Sequence, residues 1–182
     1  AFDLVVPPGA QTLDVEFDYL SPTASDQGRV AMTQDMLSLQ WHRVLMYPAE
    51  MAADAIRVEA RLRLPAEWSY GTALTLQSVE RGELHFAPQA LVDLVDSPVY
   101  AGRHFQRFEL DQGSTPVALN VMADEPEQLL ASAPMLDAHR ALVKEADAVF
   151  GARPFAHYDF LLALSDTFSG IGLEHHQSSE NG

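Results

Sequence analysis

The sequence predicts a mixed β and α+β fold, with an antiparallel β-sandwich over residues 1–112 followed by a strand–helix–strand segment over 113–182. Three observations carry this. Apolar residues fall at every second position in runs before residue 112, which is the period of a half-buried strand. One later run repeats at three and four residues, the period of an amphipathic helix. An apolar run of strand length then closes the pattern.

The elements follow in order. Residues 2–6 read as a strand already under way. Leu13, Val15, Phe17 and Tyr19 alternate with Asp14, Glu16 and Asp18, which sets an apolar face on a core and a solvated acidic face in water. Ile56, Val58, Ala60, Leu62 and Leu64 alternate with Arg57, Glu59, Arg61 and Arg63 in the same way. Shorter strands are expected at 29–33, 37–46, 73–78, 83–86 and 104–110. Turn chemistry separates them at Pro7-Pro8-Gly9, Ser21-Pro22, Asp26-Gln27-Gly28, Pro48, Pro65 and Asp111-Gln112-Gly113. Many short strands with regular turns point to an antiparallel sandwich.

After Gly113 the pattern changes. Val117, Leu119 and Val121 form one more strand. Leu136, His139, Leu142, Val143, Ala146, Val149 and Phe150 then mark a helix, with Pro134 in its first turn and Gly151 as its stop. Residues 158–164 read as a strand covered on both faces. The switch places a boundary near residue 113.

Composition narrows the function. With 11 Lys+Arg against 26 Asp+Glu the net charge is −15, which repels phosphate backbones and excludes nucleic acid as a partner. No run of 18 apolar residues occurs, so no membrane span is expected. The chain has no cysteine, which removes disulfides, cysteine zinc sites and a cysteine nucleophile. It begins at Ala1 and ends in a polar stretch, and it reads as a piece of something longer.

Seven histidines occur, and none forms the one-turn pair of a zinc helix. Adjacent His175 and His176 point to opposite faces of an extended segment and do not chelate one ion easily. His139 reads as a packed, hydrogen-bonded side chain, and His42 and His104 as structural or exposed. Ser169-Gly170-Ile171-Gly172 lacks the spacing of a nucleophile elbow, and it is no dinucleotide fingerprint. No pair of carboxylates stands out for glycoside chemistry. The segment from Gly170 to Asn181 reads either as a polar loop leaving a sheet or as a glycine-containing edge that another backbone can approach. Its carboxylate could there hold an ammonium group.

Particular segments sharpen this. They are Leu13-Asp14-Val15 with Phe17, Leu39-Gln40-Trp41 with Tyr47-Pro48-Ala49, and Leu64-Pro65 with Trp68. Gly71-Thr72-Ala73-Leu74, Leu94-Val95-Asp96-Ser97-Pro98-Val99 with Ala101-Gly102, and His104-Phe105 follow. The last two are His157-Tyr158-Asp159-Phe160-Leu161-Leu162 and Gly172-Leu173-Glu174-His175-His176-Gln177-Ser178-Ser179. Through nearly its whole length the chain resembles the glycyl aminopeptidase family of zinc metallopeptidases, gluzincins whose later segments carry His-Glu-x-x-His and a PDZ domain.

That resemblance implies a β domain over 1–112, with 113–182 opening a thermolysin-like catalytic domain that stops before the zinc motif. The implied activity is release of small N-terminal residues, glycine or alanine, from peptides with a free N-terminus. By analogy with the Gly-Ala-Met-Glu-Asn edge strand of gluzincins, Glu174 would hold the substrate's α-ammonium. Gly172 and Leu173 would lend backbone to an extended peptide, and His175 and His176 would line the same cleft. Zinc would serve the intact enzyme, with no ligand, general base or other catalytic residue in this chain. The chain alone is expected to be inactive, to bind no zinc and to contact the missing remainder of the catalytic domain. Family habit and the absent cysteines imply a periplasmic or secreted protein. Two other readings stand beside this one: a non-enzymatic β-sandwich module binding a peptide or protein, and a glycosidase accessory domain.

Overall fold

The computed structural model describes residues 3–168 and 170–182. The strands are β1 (Met36–Leu39), β2 (Arg57–Val58), β3 (Arg61–Arg63), β4 (Ser69–Thr72), β5 (Leu76–Glu80), β6 (Glu83–Phe86) and β7 (Gln89–Ala90). A short helix α1 (Leu91–Val95) precedes β8 (Val99–Gly102), β9 (Phe105–Asp111) and β10 (Val117–Ala123). Helix α2 (Ala133–Phe150) leads to β11 (Tyr158–Leu164), β12 (Gly172–Glu174) and β13 (Ser178–Asn181). Among the described residues the fold is mostly β with few helices, mixed β and α+β, with a sandwich-like N-terminal part as the alternation predicts.

Three small antiparallel sheets, β1-β8-β4, β2-β7 and β3-β6-β5, build the first part. They close on a core of Trp41, Leu74, Phe86, Leu91, Leu94 and Val99. Arg81 and Gly82, with φ of 53° and 80°, make the tight β5–β6 hairpin, and the right-handed strand twist favours positive φ at both turn positions.

The fourth sheet has the order β12-β13-β11-β10-β9 and draws strands from both sides of residue 113. β11 runs parallel to β10 and to β13, while β9 and β12 are antiparallel edges. A parallel pair needs a crossover, and α2 supplies it between β10 and β11. Gly151 stops that helix in the left-handed region at φ 69°, as its place after the helical pattern predicts. On one face of the sheet Val117, Leu119 and Val121 pack with Val143 of α2. On the other, Met122, Leu161, Ala163 and Phe168 share a core with Met36 and Tyr100 of the first part.

Several expected strands differ. Residues 13–19 form no ladder and are exposed, because alternation describes a one-sided surface while a strand exists only where a partner takes its backbone groups. Of the expected strand 2–6, residue 2 lies outside the described residues and the rest pairs with nothing. The 29–33 strand reduces to one bridge, Met32 to Leu37. The 37–46 strand ends at Leu39 and turns into a 3-10 helix at Trp41–Arg43. The long alternation at 56–64 splits into β2 and β3, which join different sheets. β4, β7, β8 and α1 carry no alternation. β8 is buried throughout, so its sequence shows no polar face to read.

A candidate peptide-binding edge and its anchors

β12 is the outermost strand of the five-stranded sheet, and its three residues are exposed. Its register against β13 is Gly172 to Asn181, Leu173 to Glu180 and Glu174 to Ser179. Beyond its ends, Ile171 and Gly182 exchange backbone hydrogen bonds of 3.2 and 3.1 Å, and the His175 N–H donates to Ser178 O at 2.9 Å. Residues of an antiparallel strand alternate between facing their partner and facing away. Ile171, Leu173 and His175 therefore face β13, and Gly172 and Glu174 turn their N–H and C=O groups to the open edge. A Cβ at Gly172 would meet nothing within 4 Å, so a second backbone can come close there.

Both ends of the following turn are anchored in the first part of the chain. Glu180 on β13 is fully buried. Its carboxylate accepts from Gln40 Nε2 at 2.9 Å and the Ser38 hydroxyl at 3.4 Å, and lies 3.3 Å from His175 Nε2. The other nitrogen of that ring, Nδ1, lies 3.0 Å from Asp96 Oδ1, while Asp96 Oδ2 accepts the His176 N–H at 2.8 Å. A carboxylate at each nitrogen favours the doubly protonated form of the imidazole. Glu180 foremost, and Asp96, raise the His175 pKa above its ordinary value against the effect of burial. Burial alone would raise the pKa of Glu180, but His175 and Gln40 outweigh it and keep the carboxyl below its usual range. Burial and the neighbouring Glu180 push the Tyr100 hydroxyl up, so it stays protonated beside that carboxylate.

A second polar network crosses the same sheet. Asp159, nearly inaccessible on β11, accepts from Arg107 Nη1 at 2.6 Å and Asn120 Nδ2 at 2.9 Å, and lies 2.9 Å from His157 Nδ1. Burial works against its charge, yet His157, Asn120 and Arg107 together lower its pKa. His157, which also meets the backbone of Ala73, is raised chiefly by Asp159. Gly71 of β4 lies directly over Asn120, whose Cβ and Cγ are 2.6 Å from where a Cβ on Gly71 would stand. Farther out, Arg153 binds Asp111 and Asp147 and donates to Thr115 O, which fastens the end of α2 to the β9–β10 loop.

Of the residues singled out by sequence, Gly172, Leu173 and Glu174 share one edge strand. The side chain of His175 is turned inward onto Glu180 and Asp96. Leu173 faces β13 with its backbone, which leaves Gly172 and Glu174 as the outward pair. His139 is half-buried and bonded through Nδ1 to Met135 O at 2.8 Å. Sequence reasoning passed over Asp96, Gln40, Glu180 and Asp159 as site residues. The one available signal was Asp159, a charged residue inside an apolar run. Among the described residues no three His, Asp or Glu side chains come together to hold a metal ion, so the zinc that the resemblance implies has no fitting ligand set in them. No helix among them is long and apolar enough to cross a membrane.

Comparison with known proteins agrees with the geometry at the level of fold. The family described as Peptidase M61 N-terminal domain matches residues 3–103. An aminopeptidase N family protein from Idiomarina loihiensis is similar in structure over 80% of this chain, with a TM-score of 0.60 and 20% identity. The chain spans 24% of that protein's length. No curated protein matches the chain.

Proposed function

We propose, because the chain belongs to the peptidase M61 N-terminal domain family, that it is the front part of a longer zinc-dependent aminopeptidase and forms one wall of that enzyme's peptide cleft. The observation that carries this reading is the open edge of β12, where Gly172 and Glu174 present backbone donors and acceptors and the Glu174 carboxylate stands exposed beside them. An extended peptide adds to such an edge by main-chain hydrogen bonds. A carboxylate at the end of the added strand then selects a free α-ammonium by a charge-assisted hydrogen bond.

Small N-terminal residues, glycine or alanine, are the substrate class implied by the family resemblance. The zinc ligands and general base belong to the remainder of the enzyme, and no catalytic step is assigned to this chain. The exposed Leu142, Val149 and Phe150 of α2 support contact with that remainder, since a free helix seldom leaves such side chains in water. A periplasmic or secreted location is what the family resemblance implies.

The test is Glu174→Ala in the full-length protein, assayed on alanine peptides with free and with N-acetylated amino termini. Loss of a hydrogen bond between charged groups, worth about 1.5–3 kcal/mol, should lower kcat/KM on the free-amino peptide by roughly tenfold to a hundredfold. The acetylated peptide should change little. Equal losses on both would remove Glu174 from ammonium recognition.

A further inference from the structure

The turn that joins β12 to β13 is gripped by a single carboxylate from the first part of the chain. Asp96 takes the His175 ring with one oxygen and the His176 N–H with the other, at 3.0 and 2.8 Å. The grip itself is rigidly built. The Asp96 N–H donates to Val92 O at 3.1 Å as α1 ends. The next residue accepts the Trp41 indole N–H on its carbonyl at 2.9 Å and donates its own hydroxyl to Asp93 O at 2.8 Å. Pro98 beyond it is fully buried. A carboxylate on such a corner has little freedom to follow the strand it holds.

β12 needs that grip. Among the described residues its one strand partner is β13, and an outermost three-residue strand paired on one side lies at the low end of local stability. His175 comes directly after β12, and fixing its ring between Asp96 and Glu180 fixes the end of the edge. Glu180 performs the same service from the sheet interior, through Gln40 and Ser38 of the first part. Asp96 does so from the solvent side, where it can be altered without emptying a buried charge site.

We infer that Asp96 is a positioning residue for the peptide edge: by holding His175 and the His176 N–H, it sets Gly172 and Glu174 at the place and angle where an extended peptide pairs with them. This rests on the reading of β12 as the peptide-binding edge and extends it. The M61 N-terminal domain then governs a site whose backbone lies outside it, without touching the peptide itself.

The experiment is amide hydrogen exchange on the purified wild-type, Asp96→Asn and Asp96→Ala proteins, together with binding of trialanine and of N-acetyl-trialanine. A metal chelator is present throughout, so that binding is read without turnover. In Asp96→Ala the amides of Leu173, His175 and His176 should exchange at least tenfold faster, while those of β10 and β11 keep their rates. Trialanine binding should weaken at least fivefold. Asp96→Asn retains an oxygen for the His176 N–H and should fall between the two. Unchanged exchange at the edge, or equal acceleration in β10 and β11, would overturn the inference, since the first denies the grip and the second reduces it to general stability. Wild-type protein that binds both peptides equally would remove the peptide role from the edge, and the inference with it, even where the exchange effect is present.

Discussion

Two glycines, Gly71 and Gly172, show how one residue type serves two ends. Gly71 lies over Asn120, and a methyl group there would stand 2.6 Å from the Asn120 Cβ and Cγ. Asn120 is fully buried and committed to Asp159 and to Phe160 O, so it has nowhere to retreat. Gly71→Ala should therefore destabilise by about 1–3 kcal/mol, the usual cost of overpacking a filled interior. Urea denaturation should show a lower midpoint at an unchanged slope. Gly172 has open space where its Cβ would be and lies in ordinary extended backbone, so Gly172→Ala should leave the unfolding free energy within about 0.5 kcal/mol of wild type. A large loss there would mean that the edge is covered in solution.

At the scale of elements, the strands that define the sheet were legible and much of what joins them was not. β9 and α2 follow from periodicity because each has one face in a core and the other differently covered. β10 shows through the spacing of Val117, Leu119 and Val121 although it is buried throughout, and β11 shows as an apolar run of strand length. β8 is buried on every residue, and β4 is chosen for closeness to Asn120, so neither announces itself. The residues alone left Gly170 to Asn181 open between a loop and an edge, and only the family resemblance singled out the edge strand, since Gly-Leu-Glu has no period of its own. The anchors were invisible because Asp96 and His175, or Gln40 and Glu180, are far apart in sequence and meet only through the fold.

Those anchors predict a pH profile. The lowered pKa values of Asp159 and Glu180 give stability that is present above the unfolded carboxylate value of about 4 and is lost as pH falls through the folded value. The raised values of His157 and His175 give stability that is complete below about 6.5 and is lost as pH rises through the folded value. Tm should therefore be highest between roughly pH 4.5 and 6.5 and decline on both sides. Asp159→Ala should cost about 3–5 kcal/mol, because it leaves buried partners unpaired, and should flatten the acid limb. A Tm that climbs steadily from pH 5 to pH 9 would contradict the assigned imidazolium bridges.

For the whole molecule the dominant fact is charge. Twenty-six acidic residues against 11 basic ones leave −15, and several of the basic residues are already spent on specific carboxylates. Arg107 holds Asp159 and Glu109, Arg153 holds Asp111 and Asp147, and Arg103 holds Asp35. The surplus is negative and much of it is exposed, including Asp14, Glu16 and Asp18. Such a surface repels itself in the compact state, and unfolding relieves the repulsion by spreading the charges apart. Salt opposes this by shortening the screening length from about 30 Å at 0.01 M to about 10 Å at 0.1 M. The same salt weakens the exposed ion pairs, but each of those contributes only about 0–1 kcal/mol, and the buried Asp159 and Glu180 contacts are screened far less. Repulsion should win, so Tm at pH 6 should rise by a few degrees between 0.01 and 0.3 M sodium chloride, where both bridges are intact. A calorimetric scan at several salt concentrations checks this. A fall in Tm would mean that attractive pairs, rather than the excess of acid, set the electrostatic balance, and the acidic face at 14–18 would then have to be neutralised by a partner surface rather than by water.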